Sequence, residues 1–279
     1  DGGDTYSYGL MKSLDGGNTF NFTGLSFNVV NQYKGNRVLI DPTNTDIIIV
    51  ATSNGIYRSI DAGISFSHTY SGINMTDIEF HTTNTSIIYG ASNGNTSIYK
   101  STDNGVTWSQ SGSGLPSTTD VVRACVAVTL DNPQVVYAMF GGNDNGFYGV
   151  YKSSNEGQSW TLQSNSPNLL GWDYDGSDSG GQAWYDLAFA VSPINEDILF
   201  VGGVNCWKST NSGQSWNINT HWYGASGSTY MHADEHMIKY NPLNNYIYSG
   251  NDGGLYFSDN NGTNWTDISD GLHITQFYS

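Results

Sequence analysis

Residues 101–108 read Ser-Thr-Asp-Asn-Gly-Val-Thr-Trp, and five other stretches repeat the phrase. They are SLDGGNTF from Ser13, SIDAGISF from Ser59, SSNEGQSW from Ser153, STNSGQSW from Ser209 and SDNNGTNW from Ser258. With Asp15, Asp61, Asp103, Asn155, Asn211 and Asn260 as markers, the copies lie 46, 42, 52, 56 and 49 residues apart. A period in that range with a Gly- and aromatic-containing signature predicts a propeller or a solenoid. The chemistry of the phrase favours the propeller. Asp or Asn two positions before Gly makes a tight reversal, because Gly takes positive φ freely and the side-chain oxygen caps nearby backbone N–H groups. The closing aromatic then starts a strand and has a large apolar face to bury against the next unit.

Working outward, each phrase is preceded by a short apolar and aromatic run, such as Gly55-Ile-Tyr-Arg-Ser59 or Gly149-Val-Tyr-Lys-Ser153. These runs read as strands leading into the turn. Earlier still come β-branched runs such as Ile47–Val50 and Ile198–Val201, each behind a Pro/Asn turn, and before those turns lies another apolar strand. Four strands per period joined by hairpins make a propeller blade, with the repeated phrase between the third and fourth strands. The expected fold is therefore an all-β propeller of four-stranded antiparallel blades over 1–279, with at least six repeats. Complete blades are expected at about 36–70, 76–112, 121–164, 184–219 and 231–268. Residues 1–26 supply only outer strands, and 272–279 read as the first strand of a further blade. The strand needed to close a ring near the N-terminus is poorly represented, so the chain is expected to be a piece of a larger propeller protein with further domains.

Composition agrees with this reading and narrows the function. Charged residues make up 12%, aromatics 14%, and Gly occurs 34 times, a mix that suits turn-rich β-structure. A net charge of -16 excludes a nucleic-acid-coating role, which needs Lys/Arg stripes. It suits an exported or cell-surface protein instead. Cys125 and Cys206 are too few for a disulfide scaffold, and Cys206 occupies a strand position that other repeats fill with Leu, Ile or Val. No run of 18 apolar residues marks a membrane span.

The phrase resembles the Asp-box, or BNR repeat, and the whole chain resembles the Asp-box propellers that include sialidases, xyloglucan-degrading endoglucanases and sortilin-type receptor ectodomains. Segments of the second half, among them Gln182-Ala-Trp-Tyr-Asp-Leu-Ala, His232-Ala-Asp-Glu-His236, Asn251-Asp-Gly-Gly254 and Gly271-Leu-His-Ile-Thr-Gln-Phe-Tyr278, look like large bacterial surface proteins of the type IX secretion route. The resemblance implies an extracellular location and a polysaccharide or extracellular protein as partner, but no reaction. Three of the six boxes carry Asn where the family favours Asp, so a negative charge is dispensable there and the box is expected to stabilise a turn.

In a propeller the connections between blades, and those between second and third strands, share one face, where function is expected. Two connections between blades are long: 164–184 and 217–231. The three tryptophans that belong to neither a box nor a strand, Trp172, Trp184 and Trp222, all fall there, beside His221 and Tyr223. Asn143, Asp144 and Asp252 come from second-to-third-strand loops of the same face. Aromatic faces beside carboxylates and amides suit sugars, through stacking and hydrogen bonds to hydroxyls. The competing expectation is that these tryptophans roof the blades and bury themselves. Asp173, Asp175 and Asp178 have the spacing of a calcium loop without its distal Glu. His232, Asp234 and His236 alternate along an expected strand, so all three point to one side, either as a transition-metal set or as a polar ladder. No other cofactor is implied.

A sialidase needs an arginine triad, and the chain has only Arg37, Arg58 and Arg123. Arg58 occupies a slot where other repeats carry Lys. A xyloglucanase-like hydrolase needs two carboxylates across a cleft. Asp252 loosely matches one catalytic segment of that family, one residue short of the Gly pair, and the residues name no partner for it. The main expectation is a secreted or surface propeller that binds carbohydrate or protein; the alternative is a glycoside hydrolase acting on β-glucans.

Overall fold

The structure, a computed structural model, describes residues 6–94 and 97–272. The expected strand at 272–279 lies outside the described residues, apart from Leu272. The chain divides into two compact units, Asp1–Gln110 and Ser111–Ser279.

The first unit opens with a two-stranded sheet of β1 (Gly9–Lys12) and β2 (Asn21–Ser26). Two four-stranded antiparallel sheets follow. One holds β3 (Gly35–Ile40), β4 (Ile48–Thr52), β5 (Gly55–Ser59) and β6 (Ser67–Ser71). The other holds β7 (Asn74–Phe80), β8 (Ile88–Asn93), β9 (Ile98–Ser101) and β10 (Ser109–Gln110). The second unit has three sheets. The first consists of β11 (Val121–Val128), β12 (Val136–Gly142), β13 (Phe147–Ser153) and β14 (Thr161–Ser164). The second consists of β15 (Ala188–Ser192), β16 (Asn195–Gly202), β17 (Cys206–Ser209), β18 (Asn217–His221) and β19 (Thr229–Tyr230). The third consists of β20 (Glu235–Tyr240), β21 (Ile247–Asn251), β22 (Gly254–Ser258) and β23 (Thr266–Asp267). Up-and-down sheets of four strands are propeller blades. The second sheet of this unit departs from four: after Trp222 the chain turns through Ala225–Gly227 and returns as β19, parallel to β18.

The second strand is the most buried in the sheets of β4, β8 and β12, whereas in the sheet that follows them every residue of the first strand, β15, is buried. Every residue of β4 and of β12 is buried, because neighbouring sheets cover both faces of a middle strand. Side chains on β16 alternate between two cores. Leu199 and Val201 join Tyr137, Met139 and Val150 of the sheet before, while Phe200 joins Ile238, Ile247 and Tyr256 of the sheet after. Cys125 and Cys206 are buried free thiols in these cores.

The repeated turns share one geometry. The first Ser donates its hydroxyl to the marker residue, as Ser59 to Asp61 at 2.7 Å and Ser209 to Asn211 at 2.9 Å. It also accepts the Gly N–H, as from Gly63 at 2.9 Å. The marker oxygen accepts the backbone N–H four residues on, at 2.9 Å in Asp61 and 3.0 Å in Asn211. The residue before the Gly lies in the left-handed region even where it is not Gly, as in Ala62, Glu156 and Ser212 (φ 58°, 56° and 61°). Asp and Asn differ in one bond only. Asp61 accepts the Ser65 hydroxyl, whereas Asn155 and Asn211 donate from Nδ2 to Ser159 and Ser215. The turn thus works without a charge.

Four of the basic residues ahead of the turns, Lys12, Arg58, Lys152 and Lys208, have a use that the sequence did not disclose. Lys12 donates to the Ala62 carbonyl, Arg58 to that of Asn104 and Lys208 to that of Asn261, in each case the left-handed residue of the following turn. Lys152 reaches the equivalent Ser212 through its hydroxyl, at 3.0 Å. A cation on one blade therefore fastens the carbonyl or hydroxyl at the left-handed position of the next.

Candidate functional site

In the second unit the connection from β14 to β15 lies across the ends of two sheets. Its apolar anchor is Leu169 and Leu170, both fully buried. Leu170 lies directly over Gly203, its methyl 3.1 Å from where a Cβ would stand, so a side chain there would press on the leucine. Because the leucines hold the loop, its tryptophans need not: Trp172 is 45% and Trp184 60% exposed, and Trp222 on the next connection is 44% exposed. The expectation that these rings bury themselves is not met.

The tip of the loop is closed by its own carboxylate. Asp178 accepts the N–H groups of Trp172 (2.6 Å) and Asp173 (3.3 Å), and Asp175 accepts that of Ser177. Asn205, at the β16–β17 turn, donates to the Trp172 carbonyl at 3.2 Å and ties the loop down. His221 lies underneath. It is fully buried, accepts the Tyr223 N–H at Nδ1 (3.3 Å) and meets the Tyr223 ring edge-on at 4.1 Å. Burial lowers its pKa, against the Trp172 carbonyl and the Asp173 charge, so it stands as a neutral support and not as a surface contact. Trp222 and Tyr223 pack edge to face at 4.6 Å with both rings open to solvent.

A polar cluster forms where the innermost strands of the same unit begin. Tyr185, just ahead of β15, donates to both oxygens of Asp252 on the β21–β22 turn (3.3 and 3.1 Å). His236 of β20 bonds the same carboxylate at 2.7 Å, and the Tyr185 ring meets His236 edge-on. Burial first, and then Asp252, push the Tyr185 hydroxyl up to about 12. Trp184 lies 5.3 Å from Tyr185, which brings an exposed ring to the edge of the cluster. Behind them Gln182 donates to Asp234 at 3.0 Å, and Asp234 faces Asp186. The Asp186 carboxyl is fully buried and receives no hydrogen bond at either oxygen. Burial, and then the Asp234 charge beside it, raise it to about 8, with Arg123 offsetting part of the effect. At neutral pH the Asp186 carboxyl therefore keeps its proton. Glu235 is held in the same state: burial lifts it to about 8 while it accepts from Ser249 and Asn251.

His232, Asp234 and His236 do not point to one side. The strand begins only at Glu235, and Asp234 has φ 67°, which breaks the alternation that a continuous strand would impose. His232 lies against Gly253, Asp234 turns to Gln182 and Asp186, and His236 to Asp252. Among the described residues no three His, Cys, Asp or Glu groups converge as a metal site. Asn143 and Asp144 lie elsewhere, on the β12–β13 turn, where Asn143 donates to the Thr119 carbonyl at 2.7 Å. The residues that sequence reasoning left unread, Gln182, Tyr185 and Asp186, sit together in one segment. Their signal was there to be read: polar groups crowded against the start of an innermost strand.

Comparison with known proteins places the fold. No family model matches the chain. A xyloglucanase of Hypocrea jecorina is 25% identical over 80% of this chain and 30% of its own length. Among solved structures, an ancestral GH74 enzyme superposes with a TM-score of 0.66 at 22% identity, covering 95% of this chain and 36% of the other. The GH74 xyloglucanase of Xanthomonas campestris gives 0.52 at 15% identity over 83% and 43%. A Bacteroides thetaiotaomicron protein of unknown function gives 0.58 at 11% identity over 84% and 57%. The chain thus spans about a third of the length of the xyloglucanase and of the ancestral enzyme, and the shared property is the propeller fold. Among the described residues no helix is long and apolar enough to cross a membrane.

Proposed function

We infer that the protein is an extracellular propeller that binds carbohydrate on the loop face of its second unit. One observation carries this reading: Trp172, Trp184, Trp222 and Tyr223 stay open to solvent although Leu169, Leu170 and Asn205 anchor the loop of the first two and the buried His221 and Met231 flank that of the others. Exposed rings on rigid loops cost little entropy when they bind, and a sugar ring offers them apolar C–H faces. The carboxylates of Asp252 and Asp234 beside Trp184 supply acceptors for hydroxyls. The xyloglucanase likeness makes β-glucans the first ligands to try. Affinity electrophoresis on a panel of soluble polysaccharides tests this. Trp172→Ala and Trp222→Ala should each weaken retention by about tenfold or more, the loss typical of a buried aromatic contact. Unchanged retention in both, together with unchanged retention in Trp184→Ala, refutes it.

The Asp186–Asp234 pair supports a second reading, a glycoside hydrolase. A carboxyl that burial keeps protonated at neutral pH, with a second carboxyl beside it, is the equipment of general acid catalysis. Release of reducing ends from β-glucans, lost in both Asp234→Asn and Asp252→Ala, would favour this reading over simple binding.

A further inference from the structure

The second unit also carries a cleft of about 570 Å³ on the β11–β14 sheet, reached at one edge by Asn165 at the start of the β14–β15 connection and within the size range of small-ligand sites. Its apolar lining comes from Phe147, Tyr148 and Tyr151 of β13 and from Leu162 of β14. Tyr151 is buried and braced edge-on by Phe140 at 5.5 Å, so its ring is fixed. Two carboxylates, Asp120 and Asp144, complete the lining. They are brought to the same cleft by the bond from Asn143 to the Thr119 carbonyl, which ties the approach to β11 to the β12–β13 turn. Each has one oxygen occupied by a weak or local donor, the Thr119 hydroxyl at 3.3 Å and the Gly146 N–H at 3.0 Å. Neither forms an ion pair among the described residues, and no Lys, Arg or His lines the cleft.

Two uncompensated carboxylates over a floor of aromatic rings are matched by a positive charge and by little else. The rings present their negative faces to a cation, and the carboxylates gain Coulomb energy that a neutral guest cannot supply. A polyol brings no charge to offset them. We propose that this cleft is a receptor for an organic cation, a protonated primary amine or a guanidinium carried on a chain or ring of several heavy atoms. The charge is recognised at the Asp120 and Asp144 rim and the apolar stem against Tyr148 and Tyr151. Two sources share that chemistry, a basic side chain of a peptide and an amino sugar.

Calorimetric titration of the full chain separates them. The probes are a Gly-Lys-Gly peptide, a Gly-Arg-Gly peptide and the glucosamine disaccharide, with the N-acetylated lysine peptide and the N-acetylated disaccharide as uncharged counterparts. The expected result is binding of at least one charged probe, about tenfold weaker in its uncharged counterpart where one is used and weakened by added salt. The Asp120→Asn/Asp144→Asn double variant, altered only at exposed positions, should lower that affinity by about tenfold, and Tyr148→Ala should lower it further. The proposal is overturned if no charged probe binds at millimolar concentration, if acetylation makes no difference, or if the double variant binds as the parent does. None of these results bears on Trp172 or Trp222, so the carbohydrate reading stands or falls separately.

Discussion

Replacing Asp186 by Asn gives the sharpest test of the polar cluster. The carboxyl is buried, faces Asp234 and titrates near 8 in the folded protein, against an ordinary value near 4 in the unfolded chain. The sign follows from linkage. A folded pKa above the unfolded one means that the native state holds an extra proton between those values, so its contribution is fully present below pH 4 and is lost as pH rises through 8. Each pH unit in that window costs about 1.4 kcal/mol for one group, which sets a ceiling of about 4 kcal/mol by pH 7. Asn has the same shape and does not titrate, so it stays neutral beside Asp234 at every pH. Asp186→Asn should therefore be more stable than the parent at pH 7, by up to about 4 kcal/mol, and nearly equal to it at pH 4. Glu235 still titrates in the variant, so the slope should flatten and not vanish. Urea denaturation curves at pH 4, 5, 6, 7 and 8 measure this directly. Parallel stability profiles for parent and variant would falsify the buried proton on Asp186.

Two further outcomes concern the repeats. Lys208→Met removes the bond to the Asn261 carbonyl and the ammonium 5.4 Å above the Phe200 ring, and should cost about 1–2 kcal/mol in chemical denaturation once the relief of a partly buried charge is counted. No change in midpoint would mean that the cation does not fasten adjacent blades. Asp61 is held down at about 2, chiefly by the Ser65 hydroxyl and N–H, so the stability it lends is present above pH 4 and fades as pH falls through 2. Asp61→Asn should match the parent at pH 7, as the Asn copies of the turn imply, and lose less on acidification from pH 4 to 2; identical acid limbs would contradict this.

What the chain declares in one dimension is whatever depends on near neighbours. The Ser-x-Asp/Asn-x-Gly turn closes on itself within five residues, so its hydrogen bonds are legible in each copy, and so is the indifference to charge at Asn155 and Asn211. Strands of β-branched and aromatic residues between such turns lead to antiparallel four-stranded blades without reference to anything distant. The loop tryptophans could be picked out as residues that neither repeat nor strand claimed, but their exposure could not.

Distant pairings were not. Tyr185 and Asp252 are 67 positions apart, Gln182 and Asp234 are 52, and no local pattern pairs them. Only the side-by-side packing of innermost strands brings them together. Alternation along 232–236 failed as a guide because one backbone angle at Asp234, set by its tertiary surroundings, reverses where its side chain points. Burial made the rest of the difference. Asp186 and Glu235 are ordinary acids in the sequence, and become proton-holding groups only where the folded interior removes water from around them.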